Sequence, residues 1–339
     1  MTEPREGKYR KERIDRGIKA RSDTVYIVSS PREIMYVLLP RVLPVIGLLA
    51  LPLVLGEGYW GRVLFLCCIY ALLALSWDFM ASVGLISLGQ AFFFGIGGYL
   101  AGAANLYLGL SPLFSIPIGA LGGGAICTLL LAPVVRLRGI YFAMITLTFP
   151  LLVSRIIEAT KILGGTHGLP GIAFFPNVYT AMYVAVPILI ICMFVFRRIM
   201  NEDYGTVLQG IRDNDRTVMS SGINIYRYKI ETIFISGVTA ALAGALGTHY
   251  WRFVGLSSFS WDFTIVPLAG AILGGAGTFA GATLGIFILV PLSELLREFA
   301  GLRIVFYSLI LAVCVIGLPE GIFHYLQRKY SQFERWVAV

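Results

Sequence analysis

Apolar runs close to twenty residues long recur between positions 37 and 319. Each can cross roughly 30 Å of hydrocarbon as a single helix. The chain has 339 residues, of which 57% are hydrophobic and 14% charged. A soluble domain carries about 25% charged residues, so too little polar surface is available to shield these runs from water. The pattern predicts an all-α polytopic membrane protein with about ten transmembrane helices, at about 37–55, 62–82, 86–108, 113–135, 139–157, 177–196, 230–251, 260–275, 278–297 and 303–319.

Ten crossings return both termini to one side, and the basic residues say which. With the N terminus inside, twenty Lys and Arg residues fall on the inner side and six on the outer, with Arg41 at a boundary. This asymmetry fits both termini being cytoplasmic. Residues 1–36 then form a basic N-terminal arm, which either lies on anionic lipid or is disordered. No short apolar core follows its basic start, so it does not read as a cleavable signal peptide. Residues 37–320 form the transmembrane domain and 321–339 a cytoplasmic tail. The net charge of +8 thus reflects topology and does not point to nucleic acid. Cys67, Cys68, Cys127, Cys192 and Cys314 all lie in apolar spans without metal-type or CxxC spacing, and read as small buried hydrophobes.

One long polar segment interrupts the spans, at 197–229. It gathers Arg197, Arg198, Glu202, Asp203, Arg212, Asp213, Asp215, Arg216, Arg227 and Lys229, while Val207, Leu208, Ile211, Val218, Met219 and Ile223 recur at near-helical spacing. Short amphipathic helices follow from that spacing, on the cytosolic side, as a docking surface.

The stretch 84–102 carries Gly84, Gly89, Gly95, Gly97, Gly98 and Gly102, with Ser87 and Gln90 among them. Small residues let membrane helices approach closely, and similar ridges occur at Ala91/Gly95, Gly98/Gly102, Ala240/Gly244, Ala243/Gly247, Gly270/Gly274 and Gly277/Gly281/Gly285. Two readings of 84–98 stand: close helix packing, or a broken glycine-rich helix that lines a path. Gln90 and Ser87 would be costly to aim at lipid. Pro133, Pro150, Pro187, Pro267 and Pro291 interrupt other spans and can kink them.

No catalytic or metal-binding constellation appears. His167, His249 and His324 are scattered, and there is no HExxH, GxSxG or GxxxxGK[ST] pattern. Asp78, Arg155, Asp262 and Glu294 fall near span ends, so mid-membrane ionisable groups of the kind ion-coupled carriers use are scarce. The result reads as the non-enzymatic membrane half of a machine powered by another chain. An ion-coupled or passive carrier or channel for a small neutral solute is the alternative.

ALSWDFMASVGLISLGQAFFFGIGGY (74–99) resembles the signature of the branched-chain amino acid ABC transporter permeases, specifically the LivM-type subunit. The resemblance continues in order through RLRGIYFAMITLTF (136–149), GGTHGLPGI (164–172), GTVLQGIRDNDRTVMSSGINIYRYK (205–229), ALAGALGTHYWRFVGLSSFS (241–260) and LGGAGTFAGATLG (273–285). It covers roughly residues 37–320. The sequence departs from the family pattern at Gln90, at Ile140 and in the Gly164–Gly168 loop.

The resemblance implies a multi-pass subunit of a bacterial inner-membrane importer. It would move branched-chain amino acids or a related small solute, such as another amino acid, urea or an amide, from periplasm to cytoplasm. A second related permease would pair with it as a heterodimer, two ABC ATPase subunits would dock, and a periplasmic binding protein would deliver substrate. No cofactor is expected on this chain, since ATP and Mg would be used by the partner ATPase. Gly205 to Gly222 becomes the coupling segment, with Arg212, Asp213 and Asn214 at its core. Asp78, Gly84, Ser87, Gly89, Gln90, Phe93, Gly95 and Tyr99 are the pathway candidates, against the alternative of tight packing. Gly164, Gly165 and His167 form an outer turn, a candidate contact for the binding protein.

Overall fold

The computed structural model describes residues 31–137, 139–297 and 321–337, with isolated positions between 305 and 317. The arm up to residue 30, Arg138, Cys314 and most of the tenth expected span lie outside the described residues. The chain divides into two units, Met1–Gly47 and Leu48–Val339.

Eleven helices are described: α1 (Pro31–Leu55), α2 (Tyr59–Ala81), α3 (Gln90–Leu108), α4 (Pro112–Leu131), α5 (Ile140–Thr160), α6 (Val178–Asn201), α7 (Asp203–Ser220), α8 (Ile225–Trp251), α9 (Asp262–Gly274), α10 (Phe279–Leu295) and α11 (Ile322–Val337). Seven are long and apolar enough to cross a membrane when the short turn Leu256–Phe259 is counted with α9, and two shorter apolar helices cover Val42–Leu55 and Phe279–Leu295. Nine of the expected spans therefore coincide with apolar helices. One helix start differs from the expected span. Helix α1 begins at Pro31, inside the expected arm, because proline fits a helix's first position without losing a bond. The expected tail is helical over Ile322–Val337.

Helix α8 is the centre of the Leu48–Val339 unit and packs against α2, α3 and α4. Small residues make this possible. A methyl group at Gly244 would collide with the Phe94 carbonyl oxygen of α3, and one at Gly97 with Ala241 of α8. Gly123 and Gly124 of α4 meet Gly97 and Val238 in the same way, a third ridge that the sequence reading did not single out. A separate interlock joins α9 to α10, where Gly274 faces the Gly281 carbonyl and Gly285 the Gly270 carbonyl. Gly277 does not belong to that ridge. It sits in the α9–α10 turn at φ +87 with open space around it.

Contacts sort the loops into two ends. At one end a methyl group on Gly84 would lie 3.4 Å from the Arg212 Cα, and the Gly277 amide donates to Asp78. At the other end β1 (Leu169–Pro170) pairs antiparallel with β2 (Phe253–Val254). There too His249 Nδ1 lies 2.6 Å from the Ala173 carbonyl and Nε2 lies 2.6 Å from Ser115 Oγ. A carbonyl only accepts, so Nδ1 carries the proton and Ser115 donates to Nε2. Among the described residues, the segments near Gly84, Arg212 and Gly277 thus meet at one end, and those near Leu169, Ala173 and Val254 at the other.

Candidate functional site

Between α2 and α3 the backbone leaves the helix over residues 82–89. The unwound part of the glycine-rich stretch is confined to these residues, and α3 runs unbroken from Gln90. Buried irregular backbone and the free amides of a helix start must find partners inside the protein, and here side chains from three helices supply them. Trp77 Nε1 of α2 donates to the Ser87 carbonyl at 2.9 Å. Thr146 Oγ1 of α5 accepts from the Leu88 amide at 3.0 Å. Thr264 Oγ1 of α9 accepts from the Ala91 amide at 3.1 Å. Ser87 Oγ itself accepts from the Gly89 amide at 3.2 Å. Gly84 takes φ +80, and a side chain at Gly89 would press on the Thr146 carbonyl at 2.6 Å.

Of the pathway candidates proposed from sequence, Gly84, Ser87 and Gly89 lie in this segment and Asp78 and Gln90 flank it, whereas Phe93, Gly95 and Tyr99 lie further along helix α3, Tyr99 packing near Leu169 and Val254 at the other end. Ser76 donates its one proton to the Ser236 carbonyl of α8 at 2.8 Å, and the same Oγ lies 3.2 Å from the Gln90 side-chain amide. Among the described residues, Gln90 Nε2 and the Tyr99 hydroxyl find no hydrogen-bond partner, and both are buried. Phe93 lies against Gly237, Gly95 against the Phe259 ring, and Tyr99 stacks on Phe259 at 5.8 Å. Gly84 and Ile86 are the exposed members of the stretch. Asp78, in the last turn of α2, is fully buried.

Helix α7 lies at the same end. Its buried positions are Gly205, Leu208 and Ile211. Gly205 has a steric role, since any side chain there would strike Met200 at the tight corner from α6. The helix breaks at Asn214 (φ −157, ψ 98). The Asn214 side chain then accepts from the amides of Arg216 and Thr217 at 3.1 and 3.3 Å, the cap that begins a second half-helix. Arg212, Asp213 and Arg216 are exposed. Gly222 closes the segment at φ +80 in open space, a conformation glycine adopts freely. Tyr204 packs against the tilted ring of Tyr228 at 5.2 Å between centroids, and burial raises its phenol above the ordinary tyrosine pKa.

A cavity of about 330 Å³ lies between these elements, lined by Gly84, Gly139, Arg212, Asp215, Arg216 and Lys229 among others. At the opposite end Gly164 and Gly165 take positive φ values and His167 is exposed, so these three do form a turn. Thr146, Thr264 and Ser76, which hold residues 88–91, were not among the residues expected from sequence. Single hydroxyls in apolar spans leave no periodic signal.

The family model for the branched-chain amino acid transport system permease component matches residues 59–318. The chain belongs to this permease family. It is 28% identical over 289 residues to the high-affinity branched-chain amino acid transport system permease protein LivM of Escherichia coli K12, covering 76% of this chain and 68% of that one. The Salmonella typhimurium LivM is likewise 28% identical, over 286 residues, covering 75% and 67%. A probable branched-chain amino acid transport permease LivM of Methanocaldococcus jannaschii is 29% identical over 226 residues, covering 60% and 66%. As a multi-pass ABC permease, this chain has the irregular 82–89 segment and the polar helix α7 inside the matched region.

Proposed function

We propose that this permease is the membrane subunit of an ATP-driven importer for branched-chain amino acids or a closely related small solute. It would work in the bacterial inner membrane with both termini in the cytoplasm. The observation that carries the reading is the placement of α7. Its apolar residues Leu208 and Ile211 are buried while Arg212, Asp213 and Arg216 face outward, beside the unwound 82–89 segment. A polar helix fixed at its base and open on its outer face is suited to receive a partner, and an unwound segment is suited to change shape.

In this reading two ABC ATPase subunits hydrolyse ATP with Mg, and one docks on α7. A second related permease completes the path, and a binding protein delivers solute to the opposite end, where Gly164, Gly165 and His167 lie. Residues 84–90 border the path, with the buried Gln90 amide as a polar group that opening would uncover. Arg212 and Asp213 contact the ATPase, while Asn214 shapes the helix that presents them.

Copurification from native membranes, followed by hydrolysis assays with candidate binding proteins and solutes, tests the proposal. The expected complex contains an ABC ATPase whose activity rises with the loaded binding protein. Reversal of charge at Arg212 and Asp213 that left assembly and stimulation intact would remove α7 from the interface.

A further inference from the structure

Lys229 stands where a lysine is hard to place. It lies near the N terminus of α8, where the helix dipole disfavours positive charge, and is only 5% exposed. Its Nζ lies 2.9 Å from Asp215 Oδ2, with side chains 6% and 13% exposed. The neighbouring pairs Arg198–Glu202 and Arg227–Glu231 are exposed and each lies one helical turn apart. Such surface pairs contribute little. The Lys229–Asp215 pair differs in joining two elements.

Asp215 directly follows the break at Asn214, so the pair holds the second half of α7 to α8. The first half is seated separately, through Gly205, Leu208 and Ile211. Beyond Lys229, α8 runs to Ser236, whose carbonyl holds Ser76, and Ser76 holds Gln90 at the end of the unwound segment. The geometry points to Lys229 and Asp215 as the positioning pair that carries a displacement of α7 into α8 and on to residues 82–90. This inference rests on the proposed docking of an ATPase at α7.

Breaking one member of a buried pair leaves a stranded charge, whereas replacing both with apolar residues is often neutral for stability. The test therefore uses the double variant Lys229→Met with Asp215→Leu in the complete complex, reconstituted in proteoliposomes with its binding protein. The variant complex is expected to assemble and hydrolyse ATP while solute moved per ATP falls by about tenfold, within the usual range of coupling between sites. The exchange Lys229→Asp with Asp215→Lys should recover much of that ratio, and Lys229→Arg should nearly preserve it. An unchanged ratio in the double variant would show that the pair is only structural. So would failure of the variant to assemble, or an exchange no better than the double variant. If the unmodified chain associates with no ATPase, the functional proposal itself falls and this inference falls with it.

Discussion

The Asp78 carboxylate accepts a hydrogen bond from the Gly277 amide at 2.6 Å, joining positions 199 residues apart. The bond ties the last turn of α2 to the α9–α10 turn at the end of the bundle where α7 sits. The second carboxylate oxygen is buried without a hydrogen-bond partner. Asp78→Asn retains an acceptor for Gly277 and should leave stability close to that of the parent. Asp78→Ala loses the bond to the exposed Gly277 amide, which water then takes over, and should cost about 0.5–1.5 kcal/mol. Thermal unfolding of both variants in detergent checks the difference.

Helix packing around α8 gives a second expectation. Gly244→Ala places a methyl group against the Phe94 carbonyl oxygen, a backbone atom that cannot rotate away. The cost should be about 1–3 kcal/mol. Gly122→Ala meets only the end of the Leu100 side chain, at 3.4 Å. It should be neutral or gain about 0.5–1 kcal/mol from helix propensity. Equal effects of the two substitutions would contradict the packing account.

Asn214 is read here as a cap. Asn214→Ala should destabilise α7 by about 1 kcal/mol, with Asp or Ser restoring most of it. Hydrogen exchange at the Arg216 and Thr217 amides reports this directly, with faster exchange expected in the alanine variant alone.

Those two amides also show where sequence reasoning stopped. Span positions were legible because hydrophobic length is a strong signal, and nine of the expected spans coincide with apolar helices. The amphipathic α7 was legible from the spacing of Leu208 and Ile211. The break at Asn214 was not, because one residue at β-region φ and ψ leaves the apolar period nearly unchanged. The glycine stretch 84–98 left two readings open, and the structure divides it. Residues up to Gly89 are unwound, while Phe93, Gly95 and Tyr99 sit in a regular helix packed on Gly237 and Phe259. The Lys229–Asp215 pair was invisible because its partners belong to different helices. In the sequence both appear as two more charges in a charged loop.

Gln90 separates packing from transport. Gln90→Leu removes a buried amide held by a 3.2 Å contact to Ser76, and Ser76 keeps its 2.8 Å bond to the Ser236 carbonyl. Stability should therefore change by less than about 1 kcal/mol, while uptake at normal expression should fall. Unchanged uptake would remove Gln90 from the path.

The most direct measurement is solute flux into proteoliposomes that hold this permease with its copurified partners. ATP is supplied on the side that α7 faces, and binding protein and solute on the other. Accumulation is expected to need hydrolysable ATP and to stop when the ATPase is withheld. Accumulation without nucleotide, or driven by an ion gradient alone, would contradict the proposed function.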